Sequence, residues 1–347
     1  MWQTIGQPKA VSLLKHSLGT GNLAHAYLLV GPPHVGKTTL ALDLAQALNC
    51  QGDEPPCGKC QSCRRIVEGK HADVIIIDVN SARDPKDTKP RTEISIKAIW
   101  NLQRSASLPP YEAKYKVFIV DGAERLSDEA ANCLLKTLEE PPPKVIALLL
   151  TAEQLRLPPT VVSRCQMVEL KPMPSAEIET ILVEHHGVDS DRAKLLARLS
   201  RGCLGWALRA AVDESHLAQR TQRLSEMFSL VNASWEERFV YAAQQGNDRT
   251  STEEVINLWL VCWRDVMLTK CGSEEAITNV DYGATLEDWA EILTLPETVD
   301  FINSLQKSLS QISQNANTRL VLETLMLDMP RKEGKTAHAI SPTPVAL

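Results

Sequence analysis

The chain has 347 residues, enough for two or three domains with cores of their own at roughly 100–200 residues each. Hydrophobic residues make up 44% and charged residues 23%, ordinary globular values, while an aromatic share of 5% argues against a surface designed for base stacking. Forty-three Asp and Glu against 37 Lys and Arg give a net charge of -6, so the protein as a whole is not a polyanion binder, and any DNA contact must be local or shared with partners.

Residues 23–30, LAHAYLLV, read as a strand, and the following GPPHVGKT opens into TLALDLAQALN, which has helical periodicity. Further apolar runs at 74–79 (VIIIDV), 116–121 (KVFIVD) and 145–151 (VIALLLT) read as strands separated by helical or loop segments. Strands alternating with helices predict an α/β domain whose parallel sheet is covered on both faces. After Pro172 and Pro174 the strand signals stop, and amphipathic helices continue to about Met329. A break falls near Gly202 to Gly205, and a long helical stretch begins around Asp213. The expected organisation is a P-loop domain over 1–168 with a cysteine module at about 50–63, a helical lid over 169–212, an all-α domain over 213–331 and a disordered tail over 332–347. The longest apolar run, Val145 to Leu150, is far short of the roughly 20 residues that span a bilayer, and no basic region followed by an apolar stretch opens the chain. A cytoplasmic location with no membrane partner is expected.

Gly31, Pro32, Pro33, His34, Val35, Gly36, Lys37 and Thr38 match G-x-x-x-x-G-K-[ST], with the strand before and helix after that a phosphate loop requires. Glycines let the backbone amides curl round a phosphate, Lys37 can reach the outer phosphates, and Thr38 can hold Mg²⁺. These eight residues, with Thr39 beside them, are the candidate binding set for ATP with Mg²⁺. Hydrolysis also needs an acid at a nearby strand end, usually followed by one that orients water. Asp121 fits the first role, but Gly122 stands where the second is common, and the next acid is Glu124. Glu124 could equally be a helix N-terminal acid on a solvated face. Binding is therefore better supported than turnover.

Cys50, Cys57, Cys60 and Cys63 supply four thiolates within fourteen positions, a spacing that suits one tetrahedral metal ion, Zn²⁺ in the first place. Reactive thiols and an iron–sulfur cluster are the alternatives. Four sulfurs would close the shell, making the metal a staple for the insertion. Cys133, Cys165, Cys203, Cys262 and Cys271 lack partners at such spacing and are expected to be buried packing residues. Trp259 and Trp263 lie four apart on one helix face and are expected in a core or interface, and Lys114 and Lys116 as solvated charges.

Taken together, the chain up to about residue 331 resembles bacterial clamp-loader subunits of the AAA+ superfamily. The resemblance rests on Ile5-Gly6-Gln7, on Ala24-His25-Ala26-Tyr27, on the cysteine insertion after the P-loop helix, on LLKTLEEPP at 134–142 and on Ser163-Arg164-Cys165. It also covers Asn315-Ala316-Asn317-Thr318-Arg319-Leu320 with Leu322, Glu323 and Leu325, near the end of what would be the collar through which five subunits associate.

The resemblance implies that Arg164 projects into a neighbour's ATP site and acts there in trans, and that Thr151 stands where the family senses the γ-phosphate. It implies as partners gamma/tau ATPase subunits and a delta subunit in a hetero-pentamer, a sliding clamp, and primer-template DNA reached through the complex. The family's motor subunits carry a lid arginine where this chain has Gly205 in Gly202-Cys203-Leu204-Gly205. Missing that arginine and the acid at 122 while keeping Arg164 is the pattern of a rigid neighbour that resembles a motor. The alternative is a self-sufficient gamma/tau-like motor or another DNA-remodelling ATPase, and a third option is a zinc-stabilised nucleotide-binding scaffold with no DNA role.

Overall fold

A computed structural model of the chain describes residues 1–81 and 92–331. Five strands, β1 (Ala26–Val30), β2 (Val74–Ile77), β3 (Lys116–Asp121), β4 (Val145–Thr151) and β5 (Gln166–Glu169), form one sheet in the order β2-β3-β4-β1-β5, with every pairing parallel. The accompanying helices are α1 (Pro8–Thr20), α2 (Lys37–Asn49), α3 (Gln61–Val67), α4 (Ile96–Ala106), α5 (Asp128–Glu139) and the short α6 (Pro159–Val162).

The period-2 alternation of a strand splits these apolar runs into two cores. Tyr27, Leu29, Val117, Ile119, Leu148 and Leu150 pack with Leu14 of α1 and with Leu40, Leu44 and Leu48 of α2. Their neighbours Ala26, Leu28, Phe118, Val120, Ala147 and Leu149 pack with Ile99 and Leu102 of α4 and Leu134 and Leu138 of α5. Both faces are buried, which is why the central strands are continuous apolar runs. Truncating Leu29 or Leu148 to Ala would cost about 2–5 kcal/mol.

The strands expected from the 116–121 and 145–151 runs appear with those bounds, β1 occupies only 26–30, and β2 ends at Ile77. The edge strand β5 was not anticipated. Only Val168 of its four residues is buried, so it carries no apolar run to read.

The chain divides into two compact units, one of residues 1–174 with 202–206, the other of 175–201 with 207 onward. The remaining helices are α7 (Ser175–His186), α8 (Ser190–Leu199), α9 (Leu204–Val212), α10 (Ser215–Asn232), α11 (Trp235–Gln245), α12 (Arg249–Lys270), α13 (Gly283–Ile292), α14 (Leu295–Ser313) and α15 (Thr318–Asp328). The unit boundary falls inside α9, and the expected tail over 332–347 lies outside the described residues.

In the second unit α12 is central. Its Trp259 and Trp263 are buried, the first stacked on Tyr241 and the second edge-on to Trp289 and Phe301, which places the pair in a core as expected. Arg238 of α11 is fully buried and donates to five carbonyls, those of Leu230, Val231, Met326, Met329 and Pro330. It satisfies the carbonyls left over where α10 and α15 end, and its positive charge suits those helix C-termini. Capping boxes at Ser234 with Glu237 and Thr294 with Glu297 start α11 and α14.

Two expectations are corrected. Lys116 is buried rather than solvated, because its ammonium donates to the carbonyls of Ser105, Leu108 and Pro109 at 2.9–3.3 Å. Cys271, just past the end of α12, is exposed; Cys203 and Cys262 are buried, with Cys133 and Cys165 between the extremes. Among the described residues no helix is long and apolar enough to cross a membrane.

Candidate functional site

The C-terminal ends of β1, β4 and β3 lie side by side, which brings Gly31, Thr151 and Asp121 to one edge of the sheet. In open parallel sheets this edge is where ligands bind. Gly31 donates its N–H to the Thr151 carbonyl at 3.2 Å, and a Cβ on it would stand 2.6 Å from the Leu170 carbonyl oxygen, so the chain can leave β1 by this path only as glycine. The loop then turns through His34 at φ 62 and Gly36 at φ 109 into the first turn of α2. A helix N-terminus with free N–H groups behind a glycine loop is a built anion site.

Lys37 donates from Nζ to the carbonyls of Gly31 at 2.7 Å and Pro32 at 2.9 Å, lying across the loop. Burial pulls its pKa below the ordinary lysine value, while the charges of Glu124 and then Asp121 push it back. Asp121 is raised, first by burial and further by Glu124 and Asp78, with Lys37 and a hydrogen bond from Thr38 opposing. Lys37, Thr38 and Asp121 are therefore brought together as the sequence predicts. This set fits ATP with Mg²⁺: the cation would meet the Thr38 hydroxyl and the Asp121 carboxylate, supplying charge neutralisation at the phosphates.

Thr151 is fully buried in the middle of this edge, and its Oγ1 accepts from the Glu153 N–H at 3.0 Å, a turn contact. Gly122 adopts φ 77, a left-handed conformation that disfavours any side chain, and the chain folds at once into a 3-10 turn over Ala123–Arg125. Glu124 on that turn is only partly exposed. Its Oε2 is buried with no protein hydrogen-bond partner, so the acid is not a simple solvated one.

Arg164 follows the short helix α6. It donates to the Thr160 carbonyl at 2.9 Å and the Ser163 hydroxyl at 3.4 Å, and pairs through Nη2 with Glu139 Oε1 at 2.6 Å. None of these partners belongs to the phosphate loop. Glu139 closes α5 inside the LLKTLEEPP segment, a residue that the sequence marked without assigning a role.

The four cysteines converge as predicted, their sulfurs all within 4.8 Å of one another. Tetrahedral bonds of about 2.3 Å give sulfur separations of about 3.8 Å, so the cluster can hold a metal ion. Backbone N–H groups of Gly52 and Cys57 point at Cys50 Sγ, that of Cys60 at Cys57 Sγ and that of Cys63 at Cys60 Sγ, at 3.3–3.4 Å. Such donors favour the thiolate that a metal needs. The N–H groups of Cys60 and Lys59 lower the Cys57 thiol to about 6. Burial pushes Cys60 up, but the N–H groups of Gln51 and Cys63 outweigh it and leave the thiol below its ordinary value. Burial raises Cys63 to about 12.

A family model described as DNA polymerase III, delta subunit, matches residues 6–174. The chain is 28% identical over 328 residues to DNA polymerase III subunit delta' of Bacillus subtilis, spanning 92% of this chain and 95% of that protein. It is 38% identical over 211 residues to DNA polymerase III subunit tau of Escherichia coli, which covers 59% of this chain and only 31% of the relative's length. A gamma subunit-related protein of Thermotoga maritima aligns in three dimensions at TM-score 0.46 and 18% identity, over 92% of this chain and 99% of that one. The family model spans the phosphate loop, the cysteine cluster and the Arg164 segment, so across these sites the chain is similar to subunits of DNA polymerase III.

Proposed function

We propose that the chain is the delta-prime subunit of a bacterial DNA polymerase III clamp loader. It binds ATP with Mg²⁺ through residues 31–39 and Asp121, turns it over slowly if at all by itself, and donates Arg164 in trans to the ATP site of a neighbouring gamma/tau-type subunit. The guanidinium is permanently charged and offers a planar fork of donors, suited to charge on a transferring phosphoryl group. Thr151 senses the γ-phosphate. With a delta subunit and the gamma/tau subunits in a hetero-pentamer, held through a collar over 213–331, the cytoplasmic complex loads the sliding clamp on primed DNA. Cys50, Cys57, Cys60 and Cys63 hold structural Zn²⁺, the ion best suited to four thiolates.

The observation that carries this reading is Gly122. A water-orienting acid at that position would need a backbone geometry that φ 77 does not offer a side chain without strain. The match along 95% of a delta' protein supports the same assignment.

A second reading, a self-sufficient gamma/tau-like motor, is favoured by Glu124, whose charge acts on Lys37 and Asp121 and whose Oε2 lacks a partner. Steady-state ATP turnover by the isolated chain separates the two. Slow turnover that does not change in Glu124→Gln supports delta-prime, and rapid turnover abolished by that substitution supports the motor.

A further inference from the structure

The segment that opens α9 is strapped to the phosphate loop. Gly205 donates its N–H to the His34 carbonyl at 3.0 Å, and a Cβ on residue 205 would stand 2.7 Å from that oxygen. Gly202 accepts at its carbonyl from Met173 N–H at 2.9 Å, and a Cβ there would meet Pro172 Cβ at 2.5 Å and the Met173 carbonyl at 2.7 Å. Residues 202–205 are thus anchored at both ends by backbone contacts that leave no room for a side chain. Cys203 and Leu204 between them are buried, and the segment and the phosphate loop belong to the same compact unit.

A loop that cradles phosphate must turn its N–H groups inward and its carbonyls outward. His34 sits at φ 62, a conformation that non-glycine residues seldom adopt, with its carbonyl directed at Gly205. We infer that Gly205 is a positioning residue for the phosphate loop: its amide fixes the His34 peptide, and its lack of a side chain lets residues 202–205 close on the loop. This rests on the nucleotide-binding reading above. It also changes the meaning of the glycine at the family's lid-arginine position. A simple loss would leave space for an arginine to refill, whereas here the His34 backbone fills that space. Restoring Arg at 205 must therefore displace the phosphate loop and weaken nucleotide binding, the opposite of adding a cation beside the phosphates.

The test compares the full chain with Gly205→Ala and Gly205→Arg by titration with a fluorescent ATP analogue, by amide hydrogen exchange of residues 29–40 without nucleotide, and by thermal melting. Losing a hydrogen bond worth about 0.5–1.5 kcal/mol predicts binding weaker by up to about tenfold in Gly205→Ala. It also predicts faster exchange over 31–36 with a melting temperature lowered by no more than about 5 °C, and weaker binding still in Gly205→Arg. Wild-type or tighter binding by Gly205→Arg, or unchanged exchange in both variants, overturns the inference. If the wild-type chain binds no nucleotide, the nucleotide reading fails, and exchange over 31–36 alone decides the strap. If the variants unfold, exchange at the Gly205 amide of the wild-type chain decides it. That amide lies in the first turn of α9, where no helical carbonyl can accept it, so protection supports the His34 bond and unprotected exchange refutes it.

Discussion

Removing one sulfur from the cysteine cluster distinguishes a staple from a chemical centre. In Cys60→Ser the tetrahedral set is broken and metal should be lost. Cys50 lies just past the C-terminal end of α2, and the phosphate loop lies at its other end. Thirteen residues at about 1.5 Å each separate them by about 20 Å. The loss should resemble that of a native crosslink, about 2–5 kcal/mol. For a protein of this size that lowers Tm by roughly 5–15 °C. Nucleotide affinity should stay within about threefold, since the insertion holds no phosphate-loop residue. Chelation of the wild-type protein should reproduce both results, with metal content measured by atomic emission. Acid should release the metal as well. The proton competes with the metal for thiolate sulfur. An unchanged Tm after complete metal loss would refute the staple, as would lost nucleotide binding with Tm intact.

Lys37→Met should weaken ATP binding about 100-fold, the effect of removing one or two charge-assisted contacts, with little change in Tm; fluorescent-analogue titration reads it. Arg238→Met should leave five carbonyls without their donor and cost about 3 kcal/mol, visible as a lower urea midpoint. Asp73 accepts from the N–H groups of Tyr111, Glu112 and Ala113 at 2.7–3.0 Å, and although burial pushes its pKa up, these bonds and Lys116 hold it below the ordinary value. A depressed carboxylate stabilises the fold above its unfolded pKa of about 3.9 and loses that contribution as pH falls through the lower folded value. Urea midpoints measured from pH 2.5 to 6 should show this loss in the wild-type chain, and a smaller acid-side slope in Asp73→Asn.

The central strands were legible because burial on both faces turns them into unbroken apolar runs, whereas β5 carries one buried residue and left no pattern. The phosphate loop and the cysteine cluster were legible for a related reason: their chemistry is local, and spacing along the chain sets geometry in space. Asn317 behaved likewise, capping α15 through the Leu320 N–H while Leu322 and Leu325 of the same segment enter the core. What escaped depends on distant partners. Lys116 looked solvated because its three carbonyl acceptors lie in the last turn of α4 and just past it, and the pairing of Glu139 with Arg164 joins segments 25 residues apart. Gly205 could be read as a missing arginine, but the His34 carbonyl that fills its space belongs to a loop about 170 positions earlier.

The role proposed for Arg164 is to complete a neighbour's active site. The direct measurement is ATP hydrolysis, stimulated by clamp and primed DNA, by a loader reassembled with this chain or with its Arg164→Ala form and otherwise identical partners. Releasing the Glu139 contact of a partly exposed arginine costs little stability, so assembly should be unaffected. Loss of a donated arginine should lower turnover at that site by about 10³-fold or more, seen in the loader as a fall limited by its other ATP sites. Unchanged stimulated turnover by a fully assembled Arg164→Ala loader would contradict the claim.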